Sequence, residues 1–287
     1  MMTAKEIADR FNLTRIKRSW RGRCPACDYP GTFSVREGNG GRALFYCASC
    51  QDQAAVADAV ARATGQEARP VHRDETDKAT ARLRKAEAAL RLWRGSEPAV
   101  ATLAAAYLAA RGLPGLSASP ALRFRGDLWH PEGGRYPALV ALVSDADGAG
   151  MAIHRTFLRR DGSGKADVEP AKASLGPVWG GAIRLRDYDP ARPLVIGEGI
   201  ETAASAGLLM GLPAWAALSA GNMAKGLVLP PEVKRLVIAA DPDDTGRAAA
   251  RDAWTRWTAE GREVRIAVPN AAGDFNDLLR GEVRHVA

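Results

Sequence analysis

From Pro193 onward the apolar positions fall in short continuous runs, each followed by a stretch of helical composition. LVIG precedes ETAASAGLLMG, PAWAAL precedes GNMAKGL, RLVIAA precedes TGRAAARDAWTRWTAEG, and VRIAVP precedes DFNDLLRG. Apolar runs without polar alternation are strands covered on both faces, so this order predicts a parallel, doubly wound α/β sheet with helices on both faces. Residues 121–190 have a different texture. There LRFR, PALVALVSD, MAIHRTFLR and VWGGAIRL are β-type runs separated by turns such as DADGAG and RRDGSGK, which predicts a small antiparallel α+β unit. Further upstream, residues 78–95 and 97–111 carry helical propensity, the second ending at Gly112 with Pro114 beyond it. EARPVHRDETDK interrupts the pattern with proline and mixed charge and reads as a linker. At the N-terminus a helix over 3–12, strands TFSVRE and RALFYC joined by GNGG, and an alanine-rich helix from Gln51 to about Gly65 complete the expectation. The resulting partition is a small module over 1–65, a helical linker over 66–112, a basic α+β subdomain over 113–190 and the doubly wound domain over 191–287.

Charge sharpens this partition. The 287 residues carry a net charge of +7, yet residues 1–50 hold nine Lys/Arg against four Asp/Glu while residues 191–287 hold eleven against twelve. A basic front and a nearly neutral, carboxylate-bearing rear suit a protein that grips a polyanion with one part and processes phosphates with another; the alternative is ordinary solubilising surface charge. No run approaches the roughly 18 apolar residues of a membrane span, and MMTAKEIADRF lacks a signal-peptide core, so a cytoplasmic protein without a membrane partner is expected.

The four cysteines, Cys24, Cys27, Cys47 and Cys50, form two CxxC pairs separated by 19 residues. In a reducing compartment this spacing favours four thiolates around one structural zinc, and the flanking strands give the layout of a zinc ribbon. Arg15, Lys17, Arg18, Arg21, Arg23, Arg36 and Arg42 surround it, with Trp20, Phe33, Phe45 and Tyr46 interleaved. Cations for phosphates and aromatic faces for bases are the ingredients of single-strand binding. For Phe33 and Phe45 the expected role is instead to cover the module's core.

Two acidic clusters follow strand-like runs 43 positions apart: Glu198 and Glu201 in LVIGEGIETAASA, then Asp241, Asp243 and Asp244 in RLVIAADPDDTG. Carboxylates at the carboxyl ends of neighbouring parallel strands converge where open α/β sheets bind ligands, and they hold hard divalent cations. Magnesium-dependent phosphoryl or phosphodiester chemistry is the expectation. Glu201 reads either as support for that site or as a first-turn acid complementing the helix dipole, and Asp244 as the N-cap of the following helix. His72, His130 and His285 have no companion ligands and are expected to be solvated or structural. His154 neighbours Arg155 on a strand, so it points away from a cleft into which Arg155 points. No Walker or dinucleotide fingerprint and no Ser/His/Asp constellation is present.

LVIGEGIETAASA followed by RLVIAADPDDTGRAAA resembles the toprim domain, whose signature is a glutamate after one strand and Asp-x-Asp after a later one. With the four-ligand ribbon and the basic middle segment in front, the domain order resembles that of bacterial and phage DNA primases, and YLAARGL, PALVALVSD and HRTFLRRDG look most like primase-type proteins of plasmids, phages and integrated elements. The resemblance implies Glu198, Asp241 and Asp243 as catalytic, magnesium- or manganese-binding carboxylates and matches Gly246 to the glycine behind them. In GDFNDLL it makes Asp274 a further magnesium ligand, with Asp277 close by. From AIHRTFL and EPAKASLG it assigns Arg155 and Lys172 to nucleotide or template phosphate. It implies primer synthesis from ribonucleoside triphosphates on a single-stranded DNA template in mobile-element replication, with a separate replicative helicase left open as a partner. A toprim nuclease and a non-catalytic DNA-binding replication or recombination accessory are the alternatives. The ribbon departs from the cellular enzymes in carrying cysteine where they usually carry histidine, and the chain ends soon after GDFNDLL, which gives the expectation of no helicase or helicase-binding domain.

Overall fold

The computed structural model describes residues 3–16, 19–38, 41–47, 52–65, 75–269 and 273–281. The chain divides into a first unit up to Glu75 and a second from Thr76. In the first, Thr3 and Glu6 form a capping box that opens α1 (Ala4–Arg10), each side chain accepting from the other's backbone N–H. Strands β1 (Thr14–Ile16), β2 (Ser19–Gly22), β3 (Phe33–Glu37) and β4 (Ala43–Cys47) form an antiparallel sheet in that order. Helix α2 (Gln53–Thr64) follows and stops at Gly65, whose φ of 68° suits glycine. Alternation along β3 turns Phe33 and Val35 inward against Ile7, Val56 and Val60, with Phe45 packed at the margin. These two phenylalanines are therefore core residues, as expected.

The second unit contains two sheets. Helix α3 (Glu75–Arg94) leads into β5 (Glu97–Pro98) and α4 (Leu103–Ala110), and then a 3-10 turn spans Pro114–Ala118. Helix α4 starts later than the run 97–111 predicts. Thr102 caps it through the Ala104 N–H, Ala101 takes a left-handed φ of 59°, and residues 97 and 98 pair with β6 instead. Strands β6 (Leu122–Trp129), β7 (Arg135–Ser144), β8 (Gly150–Phe157) and β9 (Lys172–Leu175) complete an antiparallel sheet ordered β5-β6-β7-β8-β9. One face packs on Ala89 and Trp93 of α3 through Val140, Ile153 and Phe157; the other, through Leu139, Ala141 and Ala152, joins a core shared with α4 and α5.

The second sheet is built from β10 (Ile183–Arg184), β11 (Leu194–Gly197), β12 (Ala214–Ala216), β13 (Arg235–Ala239) and β14 (Glu263–Ala267), in the order β10-β12-β11-β13-β14. Strands β11 to β14 are parallel, as the strand–helix alternation predicts, although β14 is a largely exposed edge strand and not a buried run; β10 pairs antiparallel with β12. VWGGAIRL therefore meets both sheets: Ala182 forms an antiparallel bridge with Ser144 of β7, and the strand that follows caps the edge of the parallel sheet. Helices α5 (Ile200–Met210), α6 (Asp244–Ala259) and α7 (Phe275–Arg280) connect or flank the strands, and GNMAKGL forms a single π-helical turn over Asn222–Gly226. Val195 and Ala239 pack with Ala206 of α5 and Phe275 of α7. The alternate residues Leu194, Ile196, Leu236 and Ile238 are equally buried and face the other way. Chain order runs outward from β11 to β12 on one side and from β13 to β14 on the other, so β11 and β13 flank the topological switch point.

Candidate functional site

Gly197 is the register partner of Ala239, so β11 and β13 deliver Glu198 and Asp241 to the same edge at the switch point. Burial raises the Asp241 carboxyl, and Asp274 and Asp243 raise it further, against a hydrogen bond from Thr202 and the charge of Lys172. That bond runs from Thr202 Oγ1 to Asp241 Oδ1 over 3.1 Å. Glu198 is also raised, first by burial and then by Asp241, while the Ala220 N–H and Lys172 oppose the shift. Asp243 caps α6, its Oδ1 accepting from the Gly246 N–H at 2.6 Å. A Cβ at residue 246 would lie 2.7 Å from the Asp241 carbonyl oxygen, so only glycine lets the helix start this close to the acidic loop.

Asp274 caps α7 through Oδ1, which accepts from the N–H groups of Asn276 and Asp277 at 2.7 and 2.9 Å. The buried Asn276 anchors that helix by donating to the Arg111 carbonyl and to Ser205 Oγ at 2.7 and 3.0 Å. The structure thus gathers Glu198, Asp241, Asp243 and Asp274 along one edge. It corrects one assignment: Asp243 caps the helix and Asp244 is its first residue, because the extended backbone of Asp243 (φ −80°, ψ 165°) is what a cap needs.

This edge has the donor set for magnesium or manganese. The carboxylates repel one another, which a divalent cation relieves, and magnesium takes one or two protein carboxylates while keeping much of its water. Among the described residues, the group whose ligand atoms all lie within 4.8 Å of one another is the cysteine cluster, so the acidic edge is an open site and not a closed cage.

Facing Glu198 is a cavity of about 260 Å³, also lined by His154, Lys172 and Glu201. Lys172 is the register partner of Thr156, and Ser174 that of His154, so these four share a face of the antiparallel sheet. Arg155 takes the other face. Its guanidinium donates to the carbonyls of Ala173 and Ser174, both at 3.2 Å, and lies over the Phe157 ring at 5.7 Å. The alternation rule holds but its assignment is reversed, because Ile153 and Phe157 require the buried face and carry Arg155 with them. His154 lines the cavity instead, with Nδ1 held 3.0 Å from Ser174 Oγ. Burial first, and then Lys172, push its imidazole down to about 4 despite Glu201, so it is neutral at physiological pH.

Glu201 sits in the first turn of α5 but does more than complement a dipole. It is buried, accepts a short hydrogen bond from Tyr107 Oη, and pairs with Lys165 Nζ at 2.9 Å. Burial alone would raise its carboxyl, but Lys165, Lys172 and the Tyr107 hydrogen bond bring it down to about 2. Nothing local in the sequence marks Tyr107 or Lys165, since their common partner is distant in the chain. His130 is structural as expected: buried, its Nδ1 accepts from the Glu132 N–H, and Nε2 lies 3.0 Å from the Pro170 carbonyl.

In the first unit Cys24, Cys27 and Cys47 converge, with 3.7 Å between the sulfurs of Cys27 and Cys47. A disulfide needs about 2.05 Å. Zinc–sulfur bonds of about 2.3 Å in a tetrahedron place the sulfurs about 3.8 Å apart, so the trio fits zinc. Burial pushes the Cys24 thiol up to about 12, against N–H groups of Cys27 and Ala26 directed at its sulfur. Deprotonating such a group needs a cation. Cys50, Lys17, Arg18, His72 and His285 lie outside the described residues. Near the cysteines, Arg15 stacks over Trp20 at 5.6 Å and Tyr46 is exposed, whereas Arg23 is engaged by Asp28 at 3.1 Å. Among the described residues no helix is long and apolar enough to cross a membrane.

Residues 193–284 match the toprim domain family, and residues 83–185 match a domain of unknown function (DUF7146). A search of curated proteins by sequence found no match. Among solved structures, the Escherichia coli primase catalytic core is similar at 18% identity, covering 64% of this chain and 71% of that chain with a TM-score of 0.43. The RNA polymerase domain of Mycobacterium tuberculosis primase is similar at 16% identity, covering 70% and 82% with a TM-score of 0.45. The primase fragment of the bacteriophage T7 primase-helicase protein is similar at 14% identity, covering 91% and 94% with a TM-score of 0.40.

Proposed function

We propose, on the premise that residues 193–284 are a toprim domain, that this chain joins ribonucleoside triphosphates into short primers on single-stranded DNA. The observation that carries this reading is a cleft at the switch point with charges of both signs. Glu198 and Lys172 line one cavity, and Asp241, Asp243 and Asp274 gather beside Glu198 within electrostatic reach of one another and of Lys172. A triphosphate needs both, because cations neutralise some of its oxygens and protein side chains the rest.

Asp241, held by Thr202, and Glu198 would bind magnesium or manganese, with Asp243 and Asp274 deepening the negative potential around them. When bound, such ions lower the pKa of the attacking 3′-hydroxyl and neutralise the departing pyrophosphate. Glu198 either shares the metal or accepts the hydroxyl proton; its raised carboxyl pKa suits the second task. Lys172 neutralises phosphate oxygens turned away from the acidic edge. Arg155, turned to the opposite face and bonded to backbone carbonyls, has no part in this scheme. The thiolate ribbon, with one zinc on Cys24, Cys27, Cys47 and Cys50, presents Trp20, Tyr46 and its arginines to the template. A cytoplasmic role in mobile-element replication beside a helicase fits this chemistry.

The test is incubation of the purified chain with single-stranded DNA, Mg²⁺ or Mn²⁺ and labelled nucleotides. Short oligomers are expected, with Asp241→Ala reducing their yield by at least about a hundredfold, the scale of losing a group that stabilises the transition state. Degradation of the DNA without synthesis would assign the same carboxylates to a nuclease. Binding of DNA with neither reaction would make the protein an accessory factor.

A further inference from the structure

The Tyr107–Glu201–Lys165 cluster is left unused by the scheme above. It joins α4, the loop between β8 and β9, and the first turn of α5, so it ties the segment matching the domain of unknown function to the toprim domain. We infer that Lys165 is a second phosphate-binding cation of the cleft, and that Glu201 and Tyr107 are positioning residues that hold its ammonium beside Lys172.

Three observations support this assignment. The first is the shared wall: Glu201 lines the same cavity as Lys172 and His154, and Lys165 Nζ lies 2.9 Å from Glu201 Oε1. The second is that the loop carrying Lys165 is built. Lys165 bridges to Leu158, Ala166 N–H donates to Phe157 O at 2.8 Å, Arg159 N–H donates to Gly164 O at 2.9 Å, and Arg159 pairs with Asp167 at 2.9 Å. The backbone therefore fixes where Lys165 starts, and Glu201 fixes where its ammonium ends. The third is charge. Glu201 holds one cation in an ion pair, while Lys172 has no ion-pair partner among the described residues, so the wall keeps a net positive charge beside the acidic edge. An ammonium has three donors and Glu201 engages one side of it, leaving donors for an oxyanion. Glu201 is buried while about a third of the Lys165 side chain stays exposed, 32% against 10%, so the ammonium is held by the carboxylate and still open to a ligand. The ligand class is a di- or triphosphate group whose remaining oxygens face the acidic edge.

This assignment rests on the proposed nucleotide site, but its test needs no synthesis. The zinc-loaded full chain is titrated with inorganic triphosphate in the presence of Ca²⁺, alongside thermal denaturation. Lys165→Met is expected to weaken binding roughly tenfold or more, the scale of one charge-assisted hydrogen bond, and Lys165→Arg to restore it to within about threefold. Glu201→Gln, which keeps the shape and frees Lys165, is expected to weaken binding less than Lys165→Met. Unchanged triphosphate affinity in a folded Lys165→Met protein would overturn the inference and reduce the cluster to a packing element. Should Lys165→Met fail to fold, equal affinity of Lys165→Arg and Lys165→Gln would overturn it in the same way. Weakened binding by a chain that makes no primers would uphold the phosphate site while removing the polymerase reading.

Discussion

Replacing Thr202 by valine tests the electrostatics of the acidic edge with little change of shape. Valine keeps the branched side chain and deletes only the hydroxyl that donates to Asp241 Oδ1 over 3.1 Å. The Asp241 carboxyl already lies above its ordinary value through burial and the charges of Asp274 and Asp243, and this hydrogen bond pulls against them. A hydrogen bond to a charged group contributes about 1.5–3 kcal/mol, and one pKa unit corresponds to about 1.4 kcal/mol. Because Asp241 is only half-buried, the lower end, about 1.5 kcal/mol, applies, and Thr202→Val should raise its carboxyl further. Metal binding needs the carboxylate, so the curve of Mn²⁺ affinity against pH should move toward alkali while its plateau is retained. Titration calorimetry across that range reads the shift directly.

Stability has its own sign. A carboxyl raised in the folded state stabilises below its unfolded pKa and loses that contribution as pH rises through the folded pKa. Metal-free Thr202→Val should therefore lose more stability than the parent between acid and neutral pH. A midpoint that stays in place, or moves toward acid, would refute the role assigned to Thr202.

Two further outcomes follow from the packing. Asn222 is buried, with Oδ1 accepting from the Gly180 N–H at 2.9 Å and Nδ2 donating to the Gly181 and Ala217 carbonyls at 2.9 and 2.8 Å. Asn222→Ala strands all three backbone groups and should cost about 3 kcal/mol in urea unfolding, and a loss below about 1 kcal/mol would show that water takes its place. In the ribbon, Cys47→Ser and Cys50→Ser should each release the single zinc, read by mass spectrometry under native conditions and by template affinity. Retention of zinc in Cys50→Ser would mean that a different group completes the site.

The parallel sheet was readable because its strands are short continuous apolar runs, and the acidic edge because each carboxylate directly follows such a run. The start of helix α4 and the partner of strand β10 were not legible for a common reason. Pairing with distant strands decided both, since Glu97 and Pro98 pair with β6 and Ile183 and Arg184 with β12. Asp243 and Asp244 are adjacent acids with equal capping propensity, so only the backbone angles settled which of them caps α6. The exchange between His154 and Arg155 shows how a correct period leaves phase open: the alternation along β8 was legible, but which face met the cleft depended on what lay above and below the sheet.

By itself the sequence determined the strands of the parallel sheet, the convergence of Cys24, Cys27 and Cys47 and the carboxylates that gather at the switch point, because each is encoded by residues adjacent to the element that presents them. Tertiary structure alone decided the cluster that places Lys165 beside Lys172. Tyr107, Lys165 and Glu201 come from three separate segments, and their meeting depends on two sheets packing through a shared core, a long-range outcome that local hydrophobic period cannot carry.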